Sequence, residues 1–289
     1  MTKNITEIEI LKNIIRSSDK IINFVPTMGN IHLGHESLIK LAVKKSQISI
    51  ISIFINPLQF SEKEDYVNYP RTYENDKKKI DNLGADYLFL PDHSFIDDIK
   101  DSSFHSFGEL TRIMCGKDRP GHFYGVALIV SKLLKLIKPD YIYLGEKDFQ
   151  QTIVIKELIE KLSIKTKIKT HQIVREENGL AISSRNSRLN HKNKLIALEI
   201  FKVLNAINNE ILENFFLLSR LEYFKKFLIN IGFEKVNYLE IRKDDNLSPV
   251  DDQFSFCRLF ISAQINGIRL IDNIFLGKIK KSGQKIINF

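Results

Sequence analysis

Residues 21–45 limit what this chain can fold into more tightly than any other stretch. Ile21-Ile22-Asn23-Phe24-Val25 is a short apolar run with the look of a buried strand. Pro26-Thr27-Met28-Gly29-Asn30-Ile31-His32-Leu33-Gly34-His35 follows, polar and punctuated by glycine, and from Glu36 to Lys45 the apolar residues Leu38, Ile39, Leu41, Ala42 and Val43 return at helical spacing. The order strand, loop, helix places both histidines where loop becomes helix, with Gly34 letting the backbone approach a ligand closely. A helix amino-terminus offers N–H groups and a partial positive charge, which suits a phosphate. Two imidazoles three residues apart can point the same way and donate to phosphate oxygens. Physically this is an anion site suited to a nucleotide.

The same alternation continues along the chain. Residues 6–18 have apolar positions at helical spacing, and Ile48–Ile55 is rich in β-branched residues and reads as a buried strand. It ends at Asn56-Pro57-Leu58-Gln59-Phe60, a polar turn. A helix is expected over 72–83 and a strand over 87–90. Leu110–Gly125, with its glycines and Pro120, reads as a loop, and a helix is expected over 126–136. That loop is either a surface connection or, as preferred here, a second polar wall with Arg119 and His122 near the ligand. Residues 139–144 read as a strand, followed by Gly145-Glu146-Lys147-Asp148-Phe149-Gln150-Gln151 and a helix to Leu162; His171–Val174 reads as a further strand. Strands alternating with helices imply parallel pairing. The expected fold class is α/β, a doubly wound, Rossmann-like parallel sheet whose ligands lie at the carboxyl ends of its strands.

Beyond about Asn186 the pattern changes. Helices are expected over 192–212 and 217–231, then strands at 236–241, 259–263 and 268–274 that alternate like an antiparallel sheet. The expected division is a nucleotide-binding domain over 1–176 and a smaller α+β domain over 177–289.

Composition excludes several classes. Two cysteines, Cys115 and Cys257, make no disulfide framework, and no set of residues has zinc-ligand spacing. No apolar run is long enough to span a bilayer, and the start, Met1-Thr2-Lys3-Asn4, lacks the apolar core of a signal peptide. A cytoplasmic protein without a membrane partner is expected. The formal charge of +8 invites a nucleic-acid partner, but the lysines are spread along the chain rather than clustered, and no nucleic acid is expected.

His32-Leu33-Gly34-His35 fits the HxGH signature of the class I nucleotidyl transferases. Taken with SIFINPLQF at 52–60, YPRT at 69–72, RPGHFYGV at 119–126, GEKDFQQ at 145–151 and LAISSRNSRL at 180–189, the chain resembles the pantothenate synthetase (pantoate–β-alanine ligase) family over nearly its full length. The resemblance implies ATP-dependent condensation of D-pantoate with β-alanine through a pantoyl adenylate, with Mg²⁺ and a homodimer. It also implies site roles. His32, His35 and Lys147 would stabilise the phosphates, helped by Ser183, Ser184 and Arg185. Met28, Gly145, Asp148 and Ile182 would line the nucleotide site, with Gly145 and Asp148 at the ribose. Gln59 and Gln151 would grip pantoate with Asn56 beside them, and Asp76 would be the metal-region acid. The smaller domain would cover the nucleotide as a lid. Ile182 departs from the family's usual methionine, and Ser61 stands where glycine is common; neither removes a donor from the reaction. Another HxGH adenylyltransferase would share the first motif but not the two glutamines or the RPGHF segment. A basic RNA-binding protein would instead show strongly salt-dependent binding.

Overall fold

The structure, a computed structural model, describes residues 1–61, 63–97, 107–213, 219–251 and 253–280. The chain divides into two compact units, Met1–Glu146 with Gln150–Val174, and Lys147–Phe149 with the residues from Arg175 onward.

The first unit is built on six parallel strands: β1 (Lys3–Ile5), β2 (Ile22–Thr27), β3 (Ile48–Ile53), β4 (Tyr87–Phe89), β5 (Tyr141–Gly145) and β6 (Lys167–His171). Their order is β1-β4-β3-β2-β5-β6. From β2 the chain winds outward through β3 and β4, then returns to lay β5 on the other side of β2. The reversal puts a topological switch point between β2 and β5, where open α/β sheets bind ligands at the strands' carboxyl ends. The helices are α1 (Ile8–Arg16), α2 (Leu33–Lys44), α3 (Lys63–Val67), α4 (Tyr73–Asn82), α5 (Met114–Asp118), α6 (His122–Ile137) and α7 (Phe149–Lys161). α2 packs against β2, β3 and β5, and α1 against α6. Phe24, Val25, Ile50, Ile51, Leu88 and Ile142 are fully buried although neighbours along a strand face opposite ways. A sheet covered on both faces accounts for these consecutive buried apolar residues.

In the second unit β7 (Lys235–Lys243), β8 (Ser255–Ile265) and β9 (Ile268–Ile279) form an antiparallel sheet in that order. Cys257, Leu259, Ile261 and Ala263, alternate residues of β8, share one core with Ile200, Val203, Leu204 and Ile207 of α8 (His191–Leu212) and Leu228 of α9 (Ser219–Asn230). This α/β sheet followed by a small antiparallel one is the expected fold class.

Several boundaries differ from expectation. Leu110–Gly125 is not one loop: a 3-10 turn spans Gly108–Thr111, α5 follows, and α6 starts at His122, four residues before the expected Val126. Only Arg119, Pro120 and Gly121 separate α5 from α6, with Gly121, at φ 83°, capping α6, so the glycine and proline mark a junction rather than a long connection. The strand expected at 171–174 lies instead at Lys167–His171; as an edge strand with mostly half-buried or exposed residues it lacks an apolar signature. β1, three residues long, was not anticipated at all. The first two residues of the helix expected over 217–231, and most of the basic stretch at 280–285, fall outside the described residues.

Candidate active site

β2 leads directly into the histidine loop. Gly29 (φ 78°) and Asn30 (φ 50°) are consecutive left-handed residues, and a Cβ on Gly29 would sit 3.0 Å from Asp76 Oδ2, so glycine is required twice over. The turn aims two backbone N–H groups at that carboxylate: Asn30 N donates to Oδ2 (2.8 Å) and Ile31 N to Oδ1 (2.7 Å), while the Thr72 hydroxyl donates to Oδ2 (3.0 Å). Asp76 is 1% exposed. Both oxygens of this carboxylate, expected as the metal-region acid, are engaged in holding the loop. Lys79 Nζ adds a bond to the Ile31 carbonyl (2.6 Å).

With the loop fixed, His32 caps α2 and His35 lies in its first turn. The two imidazoles stack, ring centroids 4.0 Å apart and planes 18° from parallel. Gly34 makes this possible, since a Cβ there would lie 3.1 Å from His32 Cε1 and 3.2 Å from Nδ1. Helix 36–45 was expected; the actual start at Leu33 brings both rings onto the helix amino-terminus, where a phosphate is favoured.

The carboxyl end of β3 carries the second motif. Pro57–Gln59 forms a 3-10 turn capped by Asn56, whose Oδ1 accepts from Leu58 N (3.0 Å). Asn56 Nδ2 donates to the Gly125 carbonyl (3.0 Å) and to Gln59 Oε1 (3.1 Å), and the residue is 1% exposed. Asn56, expected beside the pantoate glutamines, thus shapes the turn that carries Gln59. Gln59 Nε2 lies 2.9 Å from Met28 Sδ, which ties this turn to the loop carrying the histidines. Arg119 and His122, expected as a wall of the pocket, both reach the Gln59 backbone carbonyl, at 3.1 and 2.8 Å.

The third motif follows β5. Gly145 ends that strand, paired with His171 of β6. Gln151 is half-buried in the first turn of α7, whereas its neighbour Gln150 is buried, donating to the Leu110 and Ile113 carbonyls and accepting from Cys115 N. Of these adjacent glutamines the sequence motif singled out Gln151, and it is the more exposed of the two.

Lys147 and Asp148 belong to the second unit, their side chains 3.5 Å apart, and the Lys147 carbonyl accepts from Asn273 Nδ2 (3.2 Å). Also in this unit, Ser183 caps a 3-10 turn, its hydroxyl accepting from Arg185 N (3.3 Å); Ile182, Ser183, Ser184 and Arg185 are all half-buried. The preceding turn is braced by Arg175, a residue no motif pointed to. Its guanidinium makes a two-pronged pair with Asp272 (2.6 and 2.8 Å), donates to the Gly179 carbonyl (3.0 Å) and stacks 4.1 Å from the Phe201 ring centroid. Among the described residues no group of three or more His, Cys, Asp or Glu stands ready for a metal, and no helix is long and apolar enough to cross a membrane.

A parallel sheet with a stacked HxGH pair at a helix amino-terminus beside its switch point defines an enzyme of the class I nucleotidyl transferase superfamily. Comparison with known proteins narrows this. A family model described as pantoate-beta-alanine ligase matches residues 1–275. The chain is 40% identical to the pantothenate synthetase of Cytophaga hutchinsonii over 258 residues, 88% of this chain and 91% of that one. It is 37% identical to that of Caldicellulosiruptor saccharolyticus over 273 residues, 93% and 96% of the two chains. Among solved structures, the Thermus thermophilus pantothenate synthetase superposes with a TM-score of 0.86 at 32% identity, covering 96% of this chain and 100% of that one. A Francisella tularensis pantoate-beta-alanine ligase, described as complexed with beta-gamma ATP and beta-alanine, does so at 0.82 and 34%, covering 96% and 98%. The chain belongs to the pantoate–β-alanine ligase family and is a carbon–nitrogen ligase.

Proposed function

We propose that the chain joins D-pantoate to β-alanine in two steps through an enzyme-bound pantoyl adenylate. A pantoate carboxylate oxygen attacks the α-phosphorus of ATP; the bond to the β-phosphate oxygen breaks and pyrophosphate leaves. The neutral amine of β-alanine then attacks the acyl carbon, the acyl–phosphate bond breaks, AMP leaves and the amine's extra proton passes to solvent. Pantoate is already a carboxylate at neutral pH, so the first step needs orientation and charge stabilisation more than a general base.

The observation that carries this reading is the stacked His32–His35 pair at the amino-terminus of α2, with Gln59 tied to the same loop through Met28. The imidazoles and the helix end would meet charge developing on the α-phosphate. Lys147, Ser183, Ser184 and Arg185 are proposed for the phosphates, Met28, Gly145, Asp148 and Ile182 for the nucleoside, and Gln59 and Gln151 for pantoate. That a relative is described with an ATP analogue and β-alanine bound supports the substrate pairing. Asp76 accepts from the loop backbone through both oxygens, and among the described residues no group of three or more His, Cys, Asp or Glu surrounds it. Mg²⁺ is proposed to arrive on the nucleotide, held mainly by phosphate oxygens and water as is usual for this ion. A homodimer is proposed for the assembly and would sediment at twice 33.5 kDa.

The test is pyrophosphate release from the purified protein with ATP and Mg²⁺, adding pantoate and β-alanine separately and together. Sustained release is expected only with both acids, and pantoate alone should support exchange of labelled pyrophosphate into ATP. Loss of both signals in His35→Ala would tie them to this site; no response to pantoate would defeat the proposal.

A further inference from the structure

Gln59 is held at both ends, and its backbone end by two residues that no ligand role requires. The Arg119 guanidinium donates from one nitrogen to the Gln59 carbonyl (3.1 Å) and from the other to His122 Nε2 (2.9 Å). A guanidinium can only donate, so Nε2 must accept. The ring proton is thereby fixed on Nδ1, which lies 2.8 Å from the same Gln59 carbonyl and donates to it. Gly125, one turn further along α6, brings the helix so close that a Cβ there would lie 2.1 Å from the Leu58 carbonyl oxygen. His122 is 7% exposed, and Arg119 and Gln59 are half-buried, so water is partly kept from these bonds.

We propose that Arg119 and His122 are positioning residues that set the orientation of Gln59, and so select the acid substrate, without touching it. One carbonyl oxygen accepting from a charged guanidinium and an imidazole is gripped through both lone pairs, which fixes the plane of the Gln59–Phe60 peptide. That leaves the Gln59 side chain to present its amide in one direction, with Asn56 and Met28 on either side. The RPGHF segment thus acts on the substrate through the turn rather than as a wall of the pocket. This rests on the assignment of Gln59 to pantoate made above.

The experiment compares His122→Gln, His122→Asn, Arg119→Ala, Arg119→Lys and Gln59→Ala in the full chain, measuring KM for pantoate, KM for ATP, and amide hydrogen exchange over residues 56–61. An asparagine amide reaches the Nδ1 position and keeps the bond to Gln59, whereas a glutamine amide reaches the Nε2 position and loses it. Expected results are a pantoate KM raised about tenfold in His122→Gln and Arg119→Ala, with the ATP KM within about twofold of wild type. Exchange at 58–60 should quicken in both, and His122→Asn should recover most of each effect. Arg119→Lys, keeping the charge without the fork, should fall between. Unchanged exchange at 58–60 in His122→Gln and Arg119→Ala, or His122→Asn behaving no better than His122→Gln, would overturn the proposal, as would a parallel rise in both KM values. If Gln59→Ala leaves the pantoate KM unchanged while exchange responds as expected, the positioning of Gln59 stands and its assignment to pantoate is what has failed.

Discussion

Gly125→Ala sets two known effects against each other in α6. Gly125 lies inside the helix, outside the left-handed region, so alanine fits its backbone and by helix propensity alone should stabilise by about 1 kcal/mol. Against this, the new Cβ would lie 2.1 Å from the Leu58 carbonyl oxygen, 2.3 Å from its carbon and 2.7 Å from Gln59 N, where favourable contact begins near about 3.5 Å. All three obstacles are backbone, which cannot swing aside as a side-chain tip can. Separating helix and turn by more than an ångström also strains the Asn56–Gly125 bond. Overpacking of this kind costs about 1–3 kcal/mol, and the upper end applies here because backbone must move. The net expectation is a loss of about 2 kcal/mol, a fall of roughly 4–8 °C in the melting temperature of a unit this size, with the pantoate KM raised. Thermal unfolding by circular dichroism, paired with initial-rate kinetics, reads both. An unchanged or raised melting temperature would show that the contact between α6 and the 56–60 turn is looser than described and would refute the reasoning.

Asp76→Ala leaves two buried backbone N–H groups without their acceptor, a loss of about 2–4 kcal/mol in urea unfolding, and Asp76→Asn should lose less by keeping one acceptor. In Asp76→Asn the Mg²⁺ concentration giving half-maximal rate should stay at the wild-type value; a large increase would restore Asp76 to the metal. Gly34→Ala should behave oppositely to Gly125→Ala, keeping its melting temperature within a degree or two while kcat falls, because its Cβ meets only the His32 ring; histidine ring shifts by NMR would report loss of the stack. Burial pushes the Cys257 thiol up to about 11, so at pH 8 only about one molecule in a thousand carries the thiolate. A thiol reagent should therefore label Cys257 only after denaturant is added, and prompt labelling of the native protein would contradict its buried place in the second unit's core.

What the sequence revealed and what it hid follow a physical line. Strands buried on both faces, Ile22–Thr27 and Ile48–Ile53, announce themselves as mostly apolar runs, and the loops after them are marked by Gly29 and by Pro57. β6 and β1 at the sheet's edges gave no such signal, since one side of an edge strand meets solvent and its residues need not be apolar. In the site, motif spacing pointed to the right segments but could not distinguish a side chain that faces a ligand from one that supports its neighbour. Asn56, Asp76, Arg119 and His122 look like binding residues in sequence, and each hydrogen-bonds backbone groups of the loops that carry Met28, the histidines and Gln59. Arg175 was invisible in sequence because its partner Asp272 lies 97 residues away. Asp272 itself was read only as part of a strand.

The most direct test of the adenylate route follows one oxygen atom. Pantoate labelled with ¹⁸O in its carboxylate is turned over with unlabelled ATP and β-alanine, and the AMP produced is analysed by mass spectrometry. Attack of the carboxylate on the α-phosphorus, followed by attack of the amine on the acyl carbon, leaves one pantoate oxygen on phosphorus, so AMP should gain one ¹⁸O per pantothenate formed. Unlabelled AMP beside labelled pantothenate would contradict the pantoyl adenylate and the role given to the His32–His35 pair in forming it.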